Sequence, residues 1–326
     1  MGRKIGVLTS GGDSSGMNAA LRAVVRTGIH YGFDVYGIRK GYEGLIDNQM
    51  YPMNLSSVGG IIRFGGTILQ TARSHRFLEH SGRRKAHENM QALGMDSLIV
   101  IGGDGSFHGL HELISEFGVQ GIGLPGTIDN DLYGTEFTIG FDTAVNTALE
   151  AINKIRDTAS SHSRVFIVEV MGRHAGYIAV YTAIASGSEE ILIPEHADNI
   201  EALVDRIRAG QARGKQSSII VVAEGDGTGG AFSVKSKIEA IYSGFDIRVS
   251  ILGHIQRGGN PSALDSLIAS RMGYESILAL RAGKTDVMIG YRGFSDSITY
   301  TPLKDTWEKK KEITQNWLEM SRVLSM

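Results

Sequence analysis

The sequence contains no cysteine. That excludes disulfides, thiolate nucleophiles and cysteine-based metal sites, and it fits a reducing compartment; the chain is read as cytoplasmic. Proline is scarce, at 5 of 326 residues, and neither sign of charge dominates: 33 Lys and Arg stand against 35 Asp and Glu, a formal net charge of −2. Without a global basic field the chain is a poor candidate for holding nucleic acid or an anionic membrane, so any anion site must be built locally. No apolar stretch approaches a membrane-spanning length, and the run at 5–8 is too short for a signal peptide. With 42% hydrophobic and 21% charged residues, the composition is that of an ordinary globular protein, long enough for two domains.

Glycine is abundant, at 43 residues, and much of it stands in doublets: Gly11-Gly12, Gly65-Gly66, Gly102-Gly103, Gly229-Gly230 and Gly258-Gly259. Glycine gathered at loop positions lets the backbone approach a ligand or take a positive φ. Short Val/Ile-rich runs at 5–8, 35–38, 98–101, 122–124, 165–170, 191–193, 219–223 and 249–252 end in glycine or a polar turn. Near-continuous apolar runs of this kind suggest strands buried on both faces of a parallel sheet. Apolar residues at helical spacing fall between them, at 17–29, 143–155, 175–185, 200–212 and 264–280. Strand–helix alternation predicts doubly wound α/β layers. The polar segment 75–91 reads as an exposed loop entering a surface helix, and the stretch after Trp307 as a closing amphipathic helix.

Chemistry-bearing residues cluster after these strands. Pro125-Gly126-Thr127-Ile128-Asp129-Asn130-Asp131 places two carboxylates one residue apart. In an extended segment both would point to one side, and like charges that close are costly unless a cation or a substrate hydroxyl uses them. The same residues also read as a solvated turn. Gly11 to Gly16 (GGDSSG) opens the first helix and offers backbone N–H groups to an anion, yet Met17-Asn18 replaces the Lys and Ser/Thr of a P-loop. In Gly102-Gly103-Asp104-Gly105-Ser106 an acid embedded in glycines can hold Mg²⁺ against phosphates. Arg173, after the run at 165–170, can reach a transferring phosphoryl group, and His254 with Arg257 can bind a phosphate monoester. Arg164, Arg248 and Glu224 also flank apolar runs. A carbohydrate kinase needs a phosphate cradle, a metal carboxylate, a base for the hydroxyl and cations for the phosphoryl groups, and residues of all four kinds are present.

These motifs, in this order, resemble the ATP-dependent 6-phosphofructokinases of the bacterial type, the phosphofructokinase A family. The resemblance spans nearly the whole chain: GGDSSGMNA at 11–19, GGT at 65–67, IGGDGS at 101–106, PGTIDND at 125–131, IRDTASSHSR at 155–164, MGRHAG at 171–176 and LGHIQRGG at 252–259. It implies the phosphofructokinase fold, two doubly wound α/β domains with mostly parallel central sheets. An ATP-binding domain would comprise 1–140 plus about 258–306, and a sugar-phosphate domain 141–257 plus about 307–326. It implies transfer of the γ-phosphoryl group of Mg-ATP to the 1-hydroxyl of fructose 6-phosphate, in glycolysis. Asp129 would be the general base, Asp131 would orient the hydroxyl or the metal, and Thr127 and Gly12 would line the transfer site. Asp104 would hold Mg²⁺. Gly12, Tyr42, Arg73, Gly103, Asp104, Gly105 and Ser106 would surround ATP, and Arg173 would stabilise the migrating phosphoryl group. Met171, Gly172, Glu224, His254 and Arg257 would bind the sugar phosphate, with Arg164 and Arg248 reaching in from a neighbouring subunit of a homotetramer. Arg22, Arg26, Arg156, Glu189, Arg213 and Lys215 match an effector pocket, but Leu55, Gly60 and Ser217 depart from it, so altered control by ADP or phosphoenolpyruvate is expected.

Pyrophosphate-using relatives carry Asp and Lys at the positions of Gly105 and Gly126, so both glycines favour ATP. Ser14-Ser15 replaces the usual Ala-Pro, Tyr177 stands where an acid is common, and Ser74-His75-Arg76-Phe77 lacks the usual Pro-Glu-Phe. A pyrophosphate-dependent enzyme is the nearest alternative. A catalytically silent regulatory subunit of the same fold would have lost Asp129 or Asp104, and an oxidoreductase lacks its G-x-G-x-x-G.

Overall fold

The computed structural model describes residues 3–159, 164–196, 199–293, 295 and 297–324; the middle of the 155–164 motif, at 160–163, lies outside the described residues. The strands are β1 Lys4–Thr9, β2 Asp34–Ile38, β3 Met50–Pro52, β4 Met95–Gly102, β5 Gln120–Pro125, β6 Val165–Val170, β7 Glu190–Leu192, β8 Ser218–Ala223, β9 Ile247–Ile251, β10 Val287–Arg292 and β11 Ser297–Pro302. The helices are α1 Met17–His30, α2 Gly41–Ile46, α3 His80–Leu93, α4 Asp104–Phe117, α5 Phe141–Ala159, α6 Tyr177–Ser186, α7 Ile200–Ala212, α8 Ala231–Ile241, α9 Ala263–Arg281, α10 Asp305–Glu308 and α11 Gln315–Leu324.

The chain divides into two compact units. The first comprises Met1–Ile128, Leu132–Thr143 and Arg257–Lys311, and the second Asp129–Asp131, Ala144–Gln256 and Glu312–Met326. The sequence division differs in detail, since it leaves 129–131 with the first unit and 307–311 with the second. The polypeptide passes from one unit to the other between Ile128 and Asp129, inside the PGTIDND motif.

In the first unit the described residues form a seven-stranded sheet in the order β11-β10-β5-β4-β1-β2-β3. The strands β10, β5, β4, β1 and β2 are parallel, and the edge strands β3 and β11 are antiparallel. Side chains alternate across this sheet. Ile99 and Ile101 of β4 join Ile5, Val7 and residues of α1 and α9 in one core. Leu98 and Val100 join Leu8 and residues of α3 and α4 in another. Both faces are therefore covered, which is why β1 and β4 read as continuous apolar runs. The second unit carries a parallel sheet in the order β7-β8-β6-β9, with Ile167, Ile220 and Val222 packed against residues of α7 and α8.

Helix ends follow local chemistry. Asn199 Oδ1 accepts from Ala202 N at 3.0 Å and Ser262 Oγ from Asp265 N at 3.1 Å, the side-chain caps expected at helix starts. α3, α4 and α6 stop at Gly94, Gly118 and Gly187, each left-handed, where glycine carries no Cβ penalty.

Three strands escape the sequence reading. β3, β10 and β11 are short or alternating segments at or beside a sheet edge, without a long apolar run. β9 begins two residues before its apolar run because it is an edge strand of the second sheet, with Arg248 exposed within it. α2, α4 and α8 are likewise unanticipated; α4 starts directly at Asp104, where the glycine-rich stretch reads as loop.

α1 and α9 cross where Gly273 leaves room: an added Cβ would lie 2.6 Å from the Ala20 carbonyl oxygen and 2.7 Å from Ala23 Cβ. Gly273→Val is therefore expected to destabilise the protein by about 1–3 kcal/mol, the usual cost of overpacking. Urea unfolding checks this, and an unchanged midpoint would show that the crossing has slack.

Candidate active site

In the first unit, β5, β4 and β1 are neighbours, so their C-terminal ends bring three loops together, as at the carboxyl ends of other open parallel sheets. Ser10 N donates to Ile101 O at 3.0 Å, and Gly126 N to Gly102 O at 3.0 Å. A Cβ on Gly103 would sit 3.8 Å from Thr127 Cβ. Asp104 is the first residue of α4 and exposed, with Gly103 as N-cap. An acid there is favoured by the helix dipole, and the turn is closed by Ser106 N and Phe107 N, which donate to Gly103 O at 3.0 and 3.1 Å. Tyr42 is buried, and burial raises its hydroxyl pKa well above the usual value. That hydroxyl donates to the Ser106 carbonyl, and the ring stacks on Phe77 at 3.9 Å. Tyr42 thus braces the glycine-rich turn from behind. Arg73 is exposed nearby in the chain, after the Gly65-Gly66-Thr67 turn. Asn18 holds that turn, donating to Phe64 and Gly65 carbonyls and accepting from Ile68 N.

The first loop is tied down by the two serines that stand for Ala-Pro. Ser14 and Ser15 are both buried. Ser14 Oγ donates to Ile139 O at 2.7 Å, and Ser15 Oγ to Gly259 O at 2.9 Å. Arg257, expected with His254 on the sugar phosphate, donates from Nη1 to Asp13 O at 3.1 Å and presses on Gly12, where an added Cβ would lie 2.7 Å from Nη1.

The segment after β5 closes on itself. Ile139 N donates to Pro125 O at 2.7 Å and Thr138 Oγ1 to Thr127 O at 2.6 Å. The two aspartates are not on one side of an extended strand, as the spacing suggests. Asn130 between them is left-handed, with φ 54°, which the short amide side chain tolerates. Asp129 is buried, 3% exposed, and Asp131 is half-buried.

In the second unit, the ends of β8, β6 and β9 carry Glu224, Met171-Gly172-Arg173 and His254. Arg173 is exposed and left-handed, with φ 53°, an unfavourable conformation for arginine that surrounding structure must impose. Glu224 Oε1 accepts from Arg173 N at 2.8 Å and Gly172 N at 3.3 Å. Gln256, buried, accepts from Met171 N at 2.9 Å. Any side chain at Gly225 would overlap the Arg173 carbonyl. Arg164 and Arg248 meet on one carboxylate, Asp246, at 2.8 and 3.1 Å. Hydrogen bonding from Arg164, with the charges of both arginines, holds Asp246 below the usual carboxylate range. Tyr177 is buried, and burial followed by the fields of Glu195, Tyr181 and Asp131 raises its hydroxyl pKa. Arg156 and Lys215 both approach Glu189, at 3.7 and 3.1 Å. Glu189, Arg213 and Lys215 line a cavity of about 540 Å³ that also reaches Leu318 and Arg322 of α11. Arg22 and Arg26 lie on α1, in the first unit.

The family model for phosphofructokinase matches residues 4–280. The chain is 51% identical over 324 residues to "ATP-dependent 6-phosphofructokinase 1" of Thermus thermophilus, covering 99% of this chain and 100% of that one. The chain belongs to the phosphofructokinase family. Its structure superposes on phosphofructokinase from Saccharomyces cerevisiae with a TM-score of 0.88 at 37% identity, over 99% of this chain and 48% of the yeast chain. A pyrophosphate-dependent phosphofructokinase from Marinobacter aquaeolei shares the fold alone, with a TM-score of 0.84 at 24% identity over 99% of this chain and 91% of that one.

Sequence reading of this phosphofructokinase missed the residues that hold the expected ones. Asp246 lies in none of the motifs, and Phe77, Gln256 and the two serines, although they lie in or beside stretches singled out above, carry no signal for their roles because each acts on a partner remote in sequence. Gly225 follows a residue already singled out, and a glycine straight after a strand end is the signal that could have drawn attention. Gly225→Ala is expected to displace Arg173 and lower kcat at least about tenfold, since small misplacements of a positioned group cost that much or more. Steady-state phosphotransfer assays test this, with circular dichroism confirming the fold; an unaltered kcat would mean that Arg173 tolerates another backbone conformation.

Proposed function

We propose that this chain transfers the γ-phosphoryl group of ATP to the 1-hydroxyl of fructose 6-phosphate. The observation that carries this reading is the convergence at the ends of β1, β4 and β5. The strand ends that lead into a glycine turn, a helix-starting Asp104 and Thr127 are joined by backbone hydrogen bonds, Ser10 N to Ile101 O and Gly126 N to Gly102 O, and a buried Asp129 follows Thr127 two residues later in the chain. Asp129 takes the proton from the attacking hydroxyl, and its burial gives a base shielded from bulk water. Asp131 orients the acceptor. Arg173, with its planar guanidinium, compensates charge on the migrating group. Met171, Gly172, Glu224 and His254 bind the sugar phosphate; Arg257 serves the same ligand while bracing the first loop. Arg164 and Arg248, gathered on Asp246, act in a neighbouring subunit's site within a homotetramer.

Among the described residues no group of three or more His, Cys, Asp or Glu could hold a metal ion. Asp104, exposed at the start of α4, would hold Mg²⁺ through a hard carboxylate oxygen when the ion arrives with the nucleotide. When bound, the ion would supply positive charge against the phosphates. Gly12, Tyr42, Arg73, Gly103, Gly105 and Ser106 form the nucleotide side. No helix among the described residues is long and apolar enough to cross a membrane, and a cytoplasmic enzyme of glycolysis agrees with that. Effector control is altered. Glu189 already has Lys215 and Arg156 beside it, while Leu55, Gly60 and Ser217 supply no charge.

Asp129→Ser is expected to cut kcat at least about 10²-fold with little change in ATP binding, as read by steady-state kinetics and nucleotide titration. Near-normal turnover would refute the base assignment. The donor has its own test. A Cβ on Gly105 would meet nothing within 4 Å, so Gly105→Asp should fold normally yet lower kcat/KM for ATP by at least about tenfold through a carboxylate set against phosphate charge. Unchanged ATP kinetics would place the nucleotide elsewhere.

A further inference from the structure

Asp265, near the start of α9, is a carboxylate with 0% exposure that belongs to none of the motifs above. Its Oδ1 accepts from Gly140 N at 2.8 Å, and its Oδ2 accepts from Thr143 N at 2.7 Å and from Thr143 Oγ1 at 2.5 Å. Gly140 and Thr143 flank the first residues of α5, so Asp265 caps the start of that helix from another helix. Thr143 Oγ1 in turn accepts from Ser262 N at 2.9 Å. The capped turn follows directly on the closure of the 125–139 loop, where Ile139 N meets Pro125 O and Ser14 Oγ meets Ile139 O. An added Cβ on Gly16 would lie 3.6 Å from Asp265 Cβ, so the first loop also packs on this residue.

We propose that Asp265 is a positioning residue for phosphoryl transfer: its ionised carboxylate fixes the turn 138–143, and through that turn the loop that carries Thr127 and Asp129. This rests on the reading of Asp129 as the base. The three donors on Asp265 all point to carboxylate oxygens, and a proton on either oxygen weakens it as an acceptor for them. Burial raises the carboxyl to about 6, with the field of Asp142 adding to it and the three hydrogen bonds opposing. Asp142 on α5 is the charged neighbour; the N-terminal turn of α1 presents only Gly16 and Ser14. Because the folded-state value lies above the usual one, the folded protein takes up this proton as pH falls through about 6. The group's contribution to stability is thus largest in acid and lost as pH rises through 6. Activity has the opposite sign, since the ionised form positions the loop.

The test is the pH profile of kcat for the full chain with Mg-ATP and fructose 6-phosphate. The wild type is expected to lose activity below a midpoint near 6. Thr143→Val keeps the carboxylate but removes a donor to its ionised form, and should move that midpoint up by about one pH unit, with Thr143→Ser restoring it. Asp265→Asn should abolish the limb near 6, lower kcat at pH 8 by about tenfold and speed amide hydrogen exchange in 132–143. If Asp265→Asn does not fold, the threonine pair decides alone. A midpoint unmoved by Thr143→Val, or faster exchange in Asp265→Asn with an unchanged kcat profile, overturns the proposal. Failure of the base assignment shows separately, as turnover retained by Asp129→Ser.

Discussion

The hydrogen bond from Ile139 N to Pro125 O is the contact on which the loop of the proposed acceptor side depends. It closes a loop that leaves the sheet at β5, carries a buried carboxylate and returns at the start of α5. A free loop of this length would sample many conformations, and bringing its ends together has an entropic cost. Here the cost is met at one place, by the backbone pair and by Thr138 Oγ1 on the Thr127 carbonyl. Ser14 extends the closure to the first loop, and Ser15 joins that loop to Gly259. The three motif loops of the first unit are therefore one hydrogen-bonded piece. A reacting group held this way loses little further entropy at the moment of reaction.

The second unit reaches the same end by a different route. Arg173 is forced into a left-handed conformation, and the structure offsets that strain with two hydrogen bonds to Glu224 and a glycine at 225 that makes room for the displaced carbonyl. Strain of this kind persists only where neighbours over-determine it. The backbone is fixed while the side chain stays exposed, which suits the role proposed for Arg173. Arg164 and Arg248 are held more loosely, by one exposed carboxylate between them, and exposed pairs of that sort contribute little to stability. Their arrangement has more to do with orientation than with folding.

How much of this could be read from the sequence follows from how far each interaction reaches. Strands buried on both faces announce themselves, because every residue must be apolar; β1, β4, β6 and β8 are legible for that reason. β3 and β11 are edge strands and lose the signal, while β10 is buried but its apolar run Val287-Met288-Ile289 is cut short by Gly290. The glycine doublets mark loops correctly but not the start of α4, since a helix can begin at an acid between glycines. The pairing of Asp129 and Asp131 on one side failed at a single residue: Asn130 takes a left-handed conformation, and neither its identity nor its neighbours required that. Asp246, Gln256, Ser14 and Ser15 were unreadable as site residues because their roles exist only once remote segments meet. Ser14 waits on a carbonyl 125 positions away, and Gln256 on an amide 85 positions away.

Gly126 and Gly105 show why the reason for a glycine matters more than its presence. At Gly126 a Cβ would lie 2.9 Å from Met17 Cε and 3.0 Å from Ile101 Cγ2. A side chain there would require the end of Met17 to move aside and Ile101 to yield slightly, so this glycine speaks to packing as well as to the donor. Gly105 is the reverse. It lies in the first turn of α4, is exposed, takes no positive φ and has nothing within 4 Å of where a Cβ would stand. Glycine in a helix costs roughly 1 kcal/mol relative to alanine, and no contact within the protein compensates it. A glycine that the fold does not need, beside the carboxylate of Asp104 at a helix start, agrees with the nucleotide-side role proposed for it. In that reading a nucleotide's phosphates would be too bulky to share the space with an aspartate and too negative to sit beside one.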